Sequence, residues 1–560
     1  MLTFFKTSFI LLIFLVSGIH SECKDPVTAK NGMVVTASSL ASEVGLRILK
    51  DGGNAIDAAV AVGFALAVTF PAAGNLGGGG FMVISLSDGQ KTTFDFREKA
   101  PLKSFRDMYL DENGNYNSDL SLSGLTSSGV PGSVAGMIDA LEKYGTKSLT
   151  EIIAPAIQLA EEGFPLDANL AESINTFNDE FNKYESSKKI FTKEGIIFSE
   201  GDLFIQKDLA ATLKLIRDNG KDGFYKGKIA DLLIEQSAGM NGYITHQDLE
   251  EYKCEEKAPV TGNYHGYEIV SIGPSSSGGI ALIQSLNILE NFSFKTEEWG
   301  SSSYIHHLVE ALKFVYRDRV KYLGDEAFVK VPKEQLLSKT YAKKIAQKIS
   351  DTAISSNQIE NIYIPFESEE TTHYSIVDKY GNAVSTTVTL NSAFGNKIIV
   401  EGAGFLLNNE MDDFSAKVGE PNQFGLVGSQ ANSIQPGKRM LSSMTPTIVL
   451  KNEKPYLIVG SPGGSTIITS VLQVILNCLD FGMNIEEAID MPRIHHQWLP
   501  DQIDYEKFGL TQDLMFSLHA KGQIIGSERS LGRVEGIMIN SSGTFFGATD
   551  TRGYGLAVGF

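Results

Sequence analysis

The residues of this chain that most clearly suggest chemistry are two adjacent threonines and a histidine: Thr371, Thr372 and His373. A threonine hydroxyl is a weak nucleophile unless a base lies beside it, and the α-amino group of a terminal threonine is such a base. Because that amine titrates near about 8, part of it is unprotonated at neutral pH. We therefore interpret Thr371 as a nucleophile that becomes a chain terminus when the bond after Glu370 is cut.

The sequence patterns on either side of this bond differ sharply. Residues 355–370 are polar and acidic without a helical or strand period, which predicts a loop that exposes the bond. Residues 372–378 roughly alternate apolar and polar, residues 379–382 have turn chemistry, and residues 383–390 are rich in Val and Thr. These features predict a β-hairpin that begins at the nucleophile. From these residues alone, an ordinary threonine-rich strand is the alternative.

A second candidate for chemistry is the glycine-containing run from Gly460 to Ser465. The run lacks the lysine of a phosphate-binding loop, and an apolar helix is predicted at residues 466–479. The amides of Gly463 and Gly464 would then lie at a helix N-terminus, where unpaired N–H groups and the helix dipole favour negative charge. This arrangement suits an oxyanion hole, while a tight turn without a ligand is the alternative.

The elements around these candidates are mixed. Helices predicted at residues 39–50 and 55–68 are followed by strands containing residues 81–86 and 92–96. The chain has 560 residues, of which 42% are hydrophobic and 21% charged, as is typical of a globular protein with a large core. A formal net charge of −19 without any Lys/Arg-rich block argues against a nucleic-acid or anionic-membrane partner.

The N-terminus predicts export from the cytoplasm. Lys6 precedes an apolar run at residues 9–16 and several small residues, which together indicate a signal peptide of about residues 1–21. The apolar run is far shorter than the roughly 20 residues that span a bilayer. We expect a periplasmic or secreted protein without a stable membrane anchor.

Neither a metal nor an organic cofactor is expected. The three cysteines allow at most one disulfide and show no paired Cys-x-x-Cys spacing. The adjacent histidines at 306–307 and 495–496 point in different directions, and the sequence has no His-Glu-x-x-His motif. The glycine run at residues 77–80 does not fit the Gly-x-Gly-x-x-Gly spacing of a dinucleotide site.

Longer motifs, in matching order and spacing, resemble the γ-glutamyltransferase (γ-glutamyltranspeptidase) family. The resemblance implies an N-terminal-nucleophile hydrolase, of class α/β (α+β), with two antiparallel sheets in a four-layer α/β/β/α sandwich. It continues through nearly all of the mature chain. The motifs that carry it lie at residues 51–57, 74–82, 95–101, 129–136, 371–378, 389–391, 407–414, 441–446, 460–465 and 492–500.

The resemblance assigns roles to the catalytic candidates. Thr371 would be the nucleophile, and the hydroxyl of Thr389 would donate to its oxygen and orient it. Gly463 and Gly464 would stabilise the tetrahedral oxyanion. Without the resemblance, Thr389 would be read as an ordinary strand residue, since threonine is common in sheets.

A γ-glutamyl group presents a carboxylate and an ammonium at one end, so its pocket needs both signs of charge. By resemblance Arg97 would bind the carboxylate, which a guanidinium fork fits bidentately. Taken alone, Arg97 would be read as a surface ion pair and the acids near residue 410 as a solvated turn. The other predicted contacts are Ser442 and Ser443 for the carboxylate, and Asn391, Glu410 and Asp413 for the ammonium.

Residues 419–438 predict a long loop, which matches the lid loop of the family. Phe424 falls where members often carry a tyrosine that gates the pocket, so this chain lacks the hydroxyl of that residue. The presence of the lid favours small γ-glutamyl compounds over large polymeric substrates.

The resemblance also implies the organisation and activity of the protein. Cleavage between Glu370 and Thr371 would leave a large subunit, residues 22–370, and a small subunit, residues 371–560, associated as one intertwined domain. Thr371 would cleave the γ-glutamyl amide of glutathione and related compounds through an ester, and pass the group to water or to an acceptor amino acid or peptide. The alternatives are a cephalosporin or glutaryl acylase of the same superfamily, and an exported binding protein with a vestigial threonine.

Overall fold

The computed structural model describes residues 25–193, 195–359, 371–415 and 430–560. The predicted signal peptide, Glu370 and Phe424 lie outside these ranges. Within them, helices and strands interleave along the chain. The strands, β1 to β19, are Val27–Ala29, Gly32–Thr36, Gly79–Ser85, Lys91–Asp95, Phe164–Pro165, Leu203–Phe204, Glu255–Lys257, Val260–Tyr264, Tyr267–Ser271, Thr372–Asp378, Ala383–Thr389, Thr447–Lys451, Lys454–Gly460, Ile494–His495, Ile503–Tyr505, Ile525–Glu528, Glu535–Ile539, Phe545–Thr549 and Leu556–Gly559.

The helices alternate with these strands. The α-helices, α1 to α20, are Ser39–Lys50, Ala55–Thr69, Ser118–Leu122, Ser133–Tyr144, Leu149–Glu162, Ala168–Thr176, Asn178–Phe181, Glu185–Phe191, Lys207–Asn219, Asp222–Tyr225, Gly227–Gly239, His246–Glu251, Gly278–Leu289, Ser302–Tyr322, Lys333–Leu336, Lys339–Ala346, Ser356–Ile359, Thr466–Leu479, Ile485–Asp490 and Gln512–Ala520. Short 3₁₀ helices span Leu125–Ser127, Thr296–Glu298, Glu410–Asp413 and Gln430–Asn432.

Two seven-stranded sheets form the centre of the described structure. The first has the order β19-β2-β10-β11-β3-β4-β7 and the second the order β1-β18-β17-β13-β12-β9-β8. Their neighbouring strands pair antiparallel. Helices α1, α2 and α4 cover the first sheet, α13, α18 and α19 cover the second, and β10 contacts β13 and β17 across the sheet interface. The predicted four-layer sandwich is therefore confirmed.

The local predictions agree closely with these elements. Strand β10 and helix α18 have the predicted bounds, β11 is one residue shorter than predicted, and α2 is one residue longer. All fifteen residues of α2 are buried, and its N-terminus carries a capping box in which Asn54 and Asp57 bond each other's backbone. Such caps satisfy helix N–H groups that have no partner within the helix. The small side chains of α2 let it pack closely on β10 and β11.

Polar side chains of β10 face the second sheet instead of solvent. The His373 ring lies within hydrogen-bond distance of the hydroxyls of Thr387 (2.9 Å) and Ser375 (3.1 Å). The Ser375 hydroxyl donates to the carbonyl of Glu535 in β17 at 3.1 Å. Tyr374 points the opposite way, toward α2. Every residue of β10 is buried. The alternation in its sequence therefore separates side chains that face the second sheet from side chains that face the helices, and not core from solvent.

Both sheets contain strands from before and from after residue 371. In the first sheet, β10 lies between β2 and β11, and β3 follows β11 on the other side. In the second sheet, β12 pairs with β9 and β18 pairs with β1. The two parts of the chain thus share both sheets.

Two further findings concern the described residues. None of their helices combines the length and the apolar character needed to cross a bilayer. Nor do these ranges contain a group of three or more His, Cys, Asp or Glu side chains that could hold a metal ion. Cys478 is buried in α18.

The contact between Gly460 and His373 makes a testable prediction about stability. A Cβ atom at Gly460 would lie 2.3 Å from ring atoms of His373, which is held between the sheets. We expect Gly460→Ala to lower the free energy of unfolding by about 1–3 kcal/mol, because overpacking a rigid core strains it. Urea titration of both proteins measures this. The control is Gly239→Ala, where a Cβ meets nothing within 4 Å; equal stability of the two variants would contradict the prediction.

Burial lowers the pKa of His373 to about 3. The unfolded chain then binds more protons at this position than the folded chain between about pH 6.5 and pH 3, so stability falls as the pH drops through that window. We expect His373→Gln to remove on the order of 3 kcal/mol of the stability loss between pH 7 and pH 4. Unfolding at several pH values tests this, with the exposed His519→Gln as control. An unchanged slope in His373→Gln would disprove it.

Candidate active site

A cavity brings the predicted catalytic and substrate-binding residues together. Thr371 precedes the first residue of β10 and is 5% exposed. Thr389 ends β11, and the register of the hairpin pairs Thr372 with Val388, which brings the two threonines to the same end of the sheet. Every predicted catalytic and substrate-binding residue except Gly463 lines the cavity. Its lining is Arg97, Thr371, Thr389, Asn391, Glu410, Asp413, Ser442, Ser443, Met444, Gly464 and Ile467.

The turn after β11 sets the orientation of Thr389. Asn391 has a positive φ of 75°, and its backbone N–H donates to the Thr389 hydroxyl at 2.8 Å. The Asn391 amide in turn donates to the carbonyl of Asn409 at 2.9 Å. A hydroxyl that accepts one N–H bond keeps its own hydrogen for donation. The geometry therefore suits Thr389 for donating to an oxygen at the adjacent strand end.

The glycine turn before α18 has the backbone shape that its composition predicts. Gly463 and Gly464 have φ angles of 129° and 54°, a region that glycine adopts without steric cost. Their carbonyls accept from Thr466 and Ile467 at 3.0 and 3.1 Å, in the first turn of α18. Gly464 lines the cavity, and a Cβ at the neighbouring Gly463 would come within 2.5 Å of the Thr466 hydroxyl. The structure thus places one of the two predicted oxyanion glycines at the cavity wall.

Arg97 is the charged centre of the cavity and is 1% exposed. Its guanidinium forms ion pairs with Glu410 and Asp413, and a longer one with Glu98 at 3.4 Å. The sequence predicts separate groups for a carboxylate and an ammonium, but the structure joins them into one cluster. The reason is that buried charges must be paired to offset their desolvation.

The cluster contains one cation and three acids. Burial alone would lower the pKa of Arg97, but the charges of Glu410, Glu98 and Asp413 outweigh it and raise that pKa. Burial raises the pKa of Glu98 to about 7 and raises those of Glu410 and Asp413. Acids in excess over cations, in a buried site, favour the binding of a further positive group. The cavity is thus suited to a ligand that brings an ammonium beside its carboxylate.

A second buried ion cluster supports Arg97 from behind. Asp95, the last residue of β4, accepts from the Arg97 backbone N–H at 3.1 Å and pairs with Arg439 at 3.2 Å and Lys257 at 2.9 Å. Burial by itself would raise the pKa of Asp95, but Arg439 and Lys257 lower it to about 2. These pairs join the segment of Arg97 to the segment that carries Ser442. The motif at residues 95–101 contains Asp95, yet the sequence analysis assigned it no role.

Arg319, on α14, is another supporting residue that the sequence analysis missed. It is 4% exposed and donates to the hydroxyls of Ser443 and Ser277, both at 2.9 Å. Because a guanidinium only donates, the Ser443 oxygen accepts here and its own hydrogen is directed elsewhere. That arrangement suits a serine that donates to a ligand carboxylate. No sequence signal marks Arg319, since it lies more than a hundred residues from Ser443.

The chain matches the family model described as Gamma-glutamyltranspeptidase over residues 41–560. It is 50% identical over 538 residues to the glutathione hydrolase proenzyme of Escherichia coli (strain K12), a match that covers 96% of this chain and 93% of that protein. It is 48% identical over 555 residues to the glutathione hydrolase proenzyme of Pseudomonas sp. (strain A14), covering 97% of this chain and 96% of the other.

Solved structures agree with the sequence matches. The cephalosporin acylase from Bacillus halodurans superposes with a TM-score of 0.85 at 27% identity, over 100% of this chain and 99% of that one. A γ-glutamyltranspeptidase chain from Helicobacter pylori has a TM-score of 0.56 at 50% identity, over 57% of this chain and 92% of that one. These likenesses confirm the predicted N-terminal-nucleophile hydrolase fold. With the model match over residues 41–560 and the identities to the relatives, they show that the chain belongs to the γ-glutamyltranspeptidase family.

Proposed function

We propose that this chain is a self-processing γ-glutamyltransferase that cleaves the γ-glutamyl amide of glutathione and related small compounds. The observation that carries this proposal is the convergence of three groups in one cavity: the candidate nucleophile Thr371, the helix-terminal Gly464, and Arg97 with its acids. The reaction has three requirements, and each group meets one of them. Thr371 attacks the carbonyl carbon, Gly464 stabilises the oxyanion, and Arg97 with its acids recognises the amino-acid end of the donor.

The first step is cleavage of the precursor. The Thr371 hydroxyl attacks the carbonyl carbon of Glu370, the peptide C–N bond breaks, and water hydrolyses the resulting ester. The products are a large subunit, residues 22–370, and a small subunit, residues 371–560. Because each sheet contains strands from both parts, the subunits stay associated after the cut. Cleavage frees the α-amine of Thr371, which is the base for the second reaction.

In the second reaction the donor is held by its amino-acid end. Arg97 and the hydroxyls of Ser442 and Ser443 bind the α-carboxylate, and Glu410 and Asp413, with Asn391, bind the ammonium. The γ-carbonyl, three carbons away, then lies toward Thr371. A fixed anchor of this kind lowers the entropic cost of reaching the attack geometry.

Chemistry at the γ-carbonyl follows from this placement. The hydroxyl of Thr371, oriented by Thr389, attacks the carbonyl carbon while the amine of Thr371 takes its proton. The amides of Gly463 and Gly464 stabilise the oxyanion at the start of α18. The protonated amine then gives its proton to the leaving nitrogen, and the γ-glutamyl ester passes to water or to an acceptor amine.

The main alternative is an acylase for cephalosporins or glutaryl amides, which shares the nucleophile and the fold. The glutaryl group has a carboxylate but lacks the ammonium of a γ-glutamyl group. Glu98, Glu410 and Asp413 around Arg97 favour a γ-glutamyl donor, since a glutaryl group brings no cation to balance these acids. The alternative of a binding protein with a vestigial threonine requires that the chain stays uncut.

Location and partners complete the proposal. The apolar run near the N-terminus supports export to a periplasm or to the outside of the cell. The partners are small molecules, namely glutathione and other γ-glutamyl donors, with amino acids or short peptides as acceptors. No cofactor enters the proposed chemistry, because the terminal amine supplies the base.

Thr371→Ala should abolish both precursor cleavage and donor hydrolysis, because it removes the attacking oxygen. Thr371→Ser, which keeps a hydroxyl, should still be cut and active. A denaturing gel, N-terminal sequencing of the smaller band and a γ-glutamyl anilide assay measure these outcomes. Thr261→Ala, at an exposed site on β8, is the control and should behave as wild type. A wild-type chain that remains whole and inactive would refute the proposal.

Asp413→Asn should weaken the preference for γ-glutamyl over glutaryl anilide. The loss of one ion pair to the donor ammonium should reduce the ratio of the two kcat/KM values about tenfold, since a charged hydrogen bond contributes about 1.5–3 kcal/mol. The matched control is Asp218→Asn, on the surface next to Arg217. If wild type prefers the glutaryl compound, the acylase alternative gains support; if Asp413→Asn keeps the wild-type ratio, Asp413 does not bind the ammonium.

A further inference from the structure

Asn432 connects two segments of the chain that carry predicted substrate contacts. It ends the 3₁₀ helix Gln430–Asn432 and is 7% exposed. Its side-chain N–H donates to the carbonyl of Asp413 at 2.7 Å, and its side-chain oxygen accepts from the backbone N–H of Leu441 at 2.9 Å. Leu441 directly precedes Ser442. One side chain therefore bridges the segment of Asp413 and the segment of Ser442.

The partners of Asn432 fix the orientation of its amide. A backbone carbonyl only accepts hydrogen bonds and a backbone N–H only donates one, so the amide nitrogen must face Asp413 and the amide oxygen must face Leu441. The backbone carbonyl of Asn432 also accepts from the N–H of Ser415 at 2.9 Å. Asn432 is thus bonded to the chain on both sides.

The turn that carries Asn432 is itself held in place. Lys438 is buried, and its ammonium donates to the carbonyls of Ala431 (2.7 Å) and Ser433 (3.0 Å), the two neighbours of Asn432. Ile434 is 1% exposed and packs in a buried apolar cluster. A shift of Asn432 would break these hydrogen bonds and disturb this packing.

The proposed substrate requires a fixed spacing between the two bridged segments. Its carboxylate and its ammonium are bonded to one carbon, so the groups that bind them must keep one relative position. In the proposed function Ser442 binds the carboxylate and Asp413 the ammonium, but residues 414–441 separate them along the chain. A direct hydrogen-bonded link restricts their relative motion more than this long connection does.

Arg97 also contacts both segments, but its contacts must change when the substrate binds. It forms an ion pair with Asp413 and donates to the carbonyl of Met440 at 3.4 Å. In the proposed function its guanidinium turns N–H groups toward the substrate carboxylate. Asn432, by contrast, is not among the described residues that line the cavity. Its side-chain bonds therefore persist before and after the substrate binds.

We infer that Asn432 is a positioning residue for recognition of the γ-glutamyl group and acts through Asp413. The inference rests on the proposed γ-glutamyltransferase function and adds to it a residue that does not touch the substrate. By holding the carbonyl of Asp413, Asn432 places the carboxylate of Asp413 beside the substrate ammonium. Its bond to Leu441 keeps Ser442 beside the substrate carboxylate. Asn432 thereby contributes to the preference for γ-glutamyl over glutaryl compounds.

The test compares γ-glutamyl anilide and glutaryl anilide as substrates of Asn432→Ala. The ratio of the two kcat/KM values should fall about fivefold, the effect of one lost neutral hydrogen bond, because the ammonium loses a fixed partner. The KM for γ-glutamyl anilide should rise, whereas its kcat should stay within about twofold of wild type, since the nucleophile is untouched. The matched control is Asn219→Ala, on α9, which loses one exposed amide hydrogen bond and should keep the wild-type ratio.

A double-mutant cycle with Asp413→Asn shows whether Asn432 acts through Asp413. Asp413→Asn alone should reduce the ratio about tenfold. If Asn432 works through the Asp413 carboxylate, adding Asn432→Ala should lower the ratio little further, because the charge that it positions is already absent. Two independent effects would instead multiply to a reduction of about fiftyfold, and that result would overturn the inference.

The other outcomes separate this inference from the proposed function. A wild-type chain that does not hydrolyse γ-glutamyl anilide overturns the proposed function. If wild type is active but Asn432→Ala keeps the wild-type ratio, only the role of Asn432 is overturned. An equal fall of kcat/KM for both anilides also overturns that role, because it reports a general loss of structure. Asn432→Ser, whose hydroxyl can keep one of the two bonds, should show a smaller fall in the ratio and serves as the test if the alanine variant does not fold.

Discussion

The burial of strand β10 on all sides is the constraint on which the rest of the structure depends. The strand pairs with β2 on one side and β11 on the other, and the second sheet and α2 cover its two faces. A residue at the end of such a strand cannot shift without breaking hydrogen bonds and core contacts together. In the proposed function Thr371 first attacks its own chain and later a substrate, and a fixed position serves both reactions.

The same burial explains why the interface between the sheets is polar near the site. His373, Ser375 and Thr387 satisfy each other's hydrogen bonds in a region without access to water. Gly460 gives the imidazole its space. Buried polar groups with partners hold a single geometry, because any displacement leaves a donor or acceptor unpaired. The polar interface thus fixes the strand that follows Thr371.

The charged residues around the cavity that contains Arg97 form two shells. The inner shell is Arg97 with its three acids, and the outer shell is Asp95 with Arg439 and Lys257. Removing one partner of a buried ion pair leaves the other charge buried and uncompensated. The position of each charged side chain therefore depends on its partners. The surplus of acids in the inner shell favours a ligand that brings its own cation.

Much of the site could be predicted from the sequence, because the relevant signals are local or lie in recognisable motifs. The hairpin that begins at Thr372 follows from side-chain alternation and turn chemistry, and the start of α18 follows from the glycines and the apolar period behind them. These features depend on neighbours a few residues away. The motifs then connected Thr371 with Arg97 and Asp413, which lie far apart in the chain.

Only the tertiary structure decided which groups meet. Arg97 pairs with Glu410 across 313 positions of sequence, and Arg319 reaches Ser443 from a different helix. Of the two glycines before α18, Gly464 lines the cavity that contains Thr371. The sequence by itself determined the elements and the chemical types at the site, since local hydrogen bonding and side-chain period set them. The pairing of charges depends on how the sheets and helices pack, and no local pattern encodes that packing.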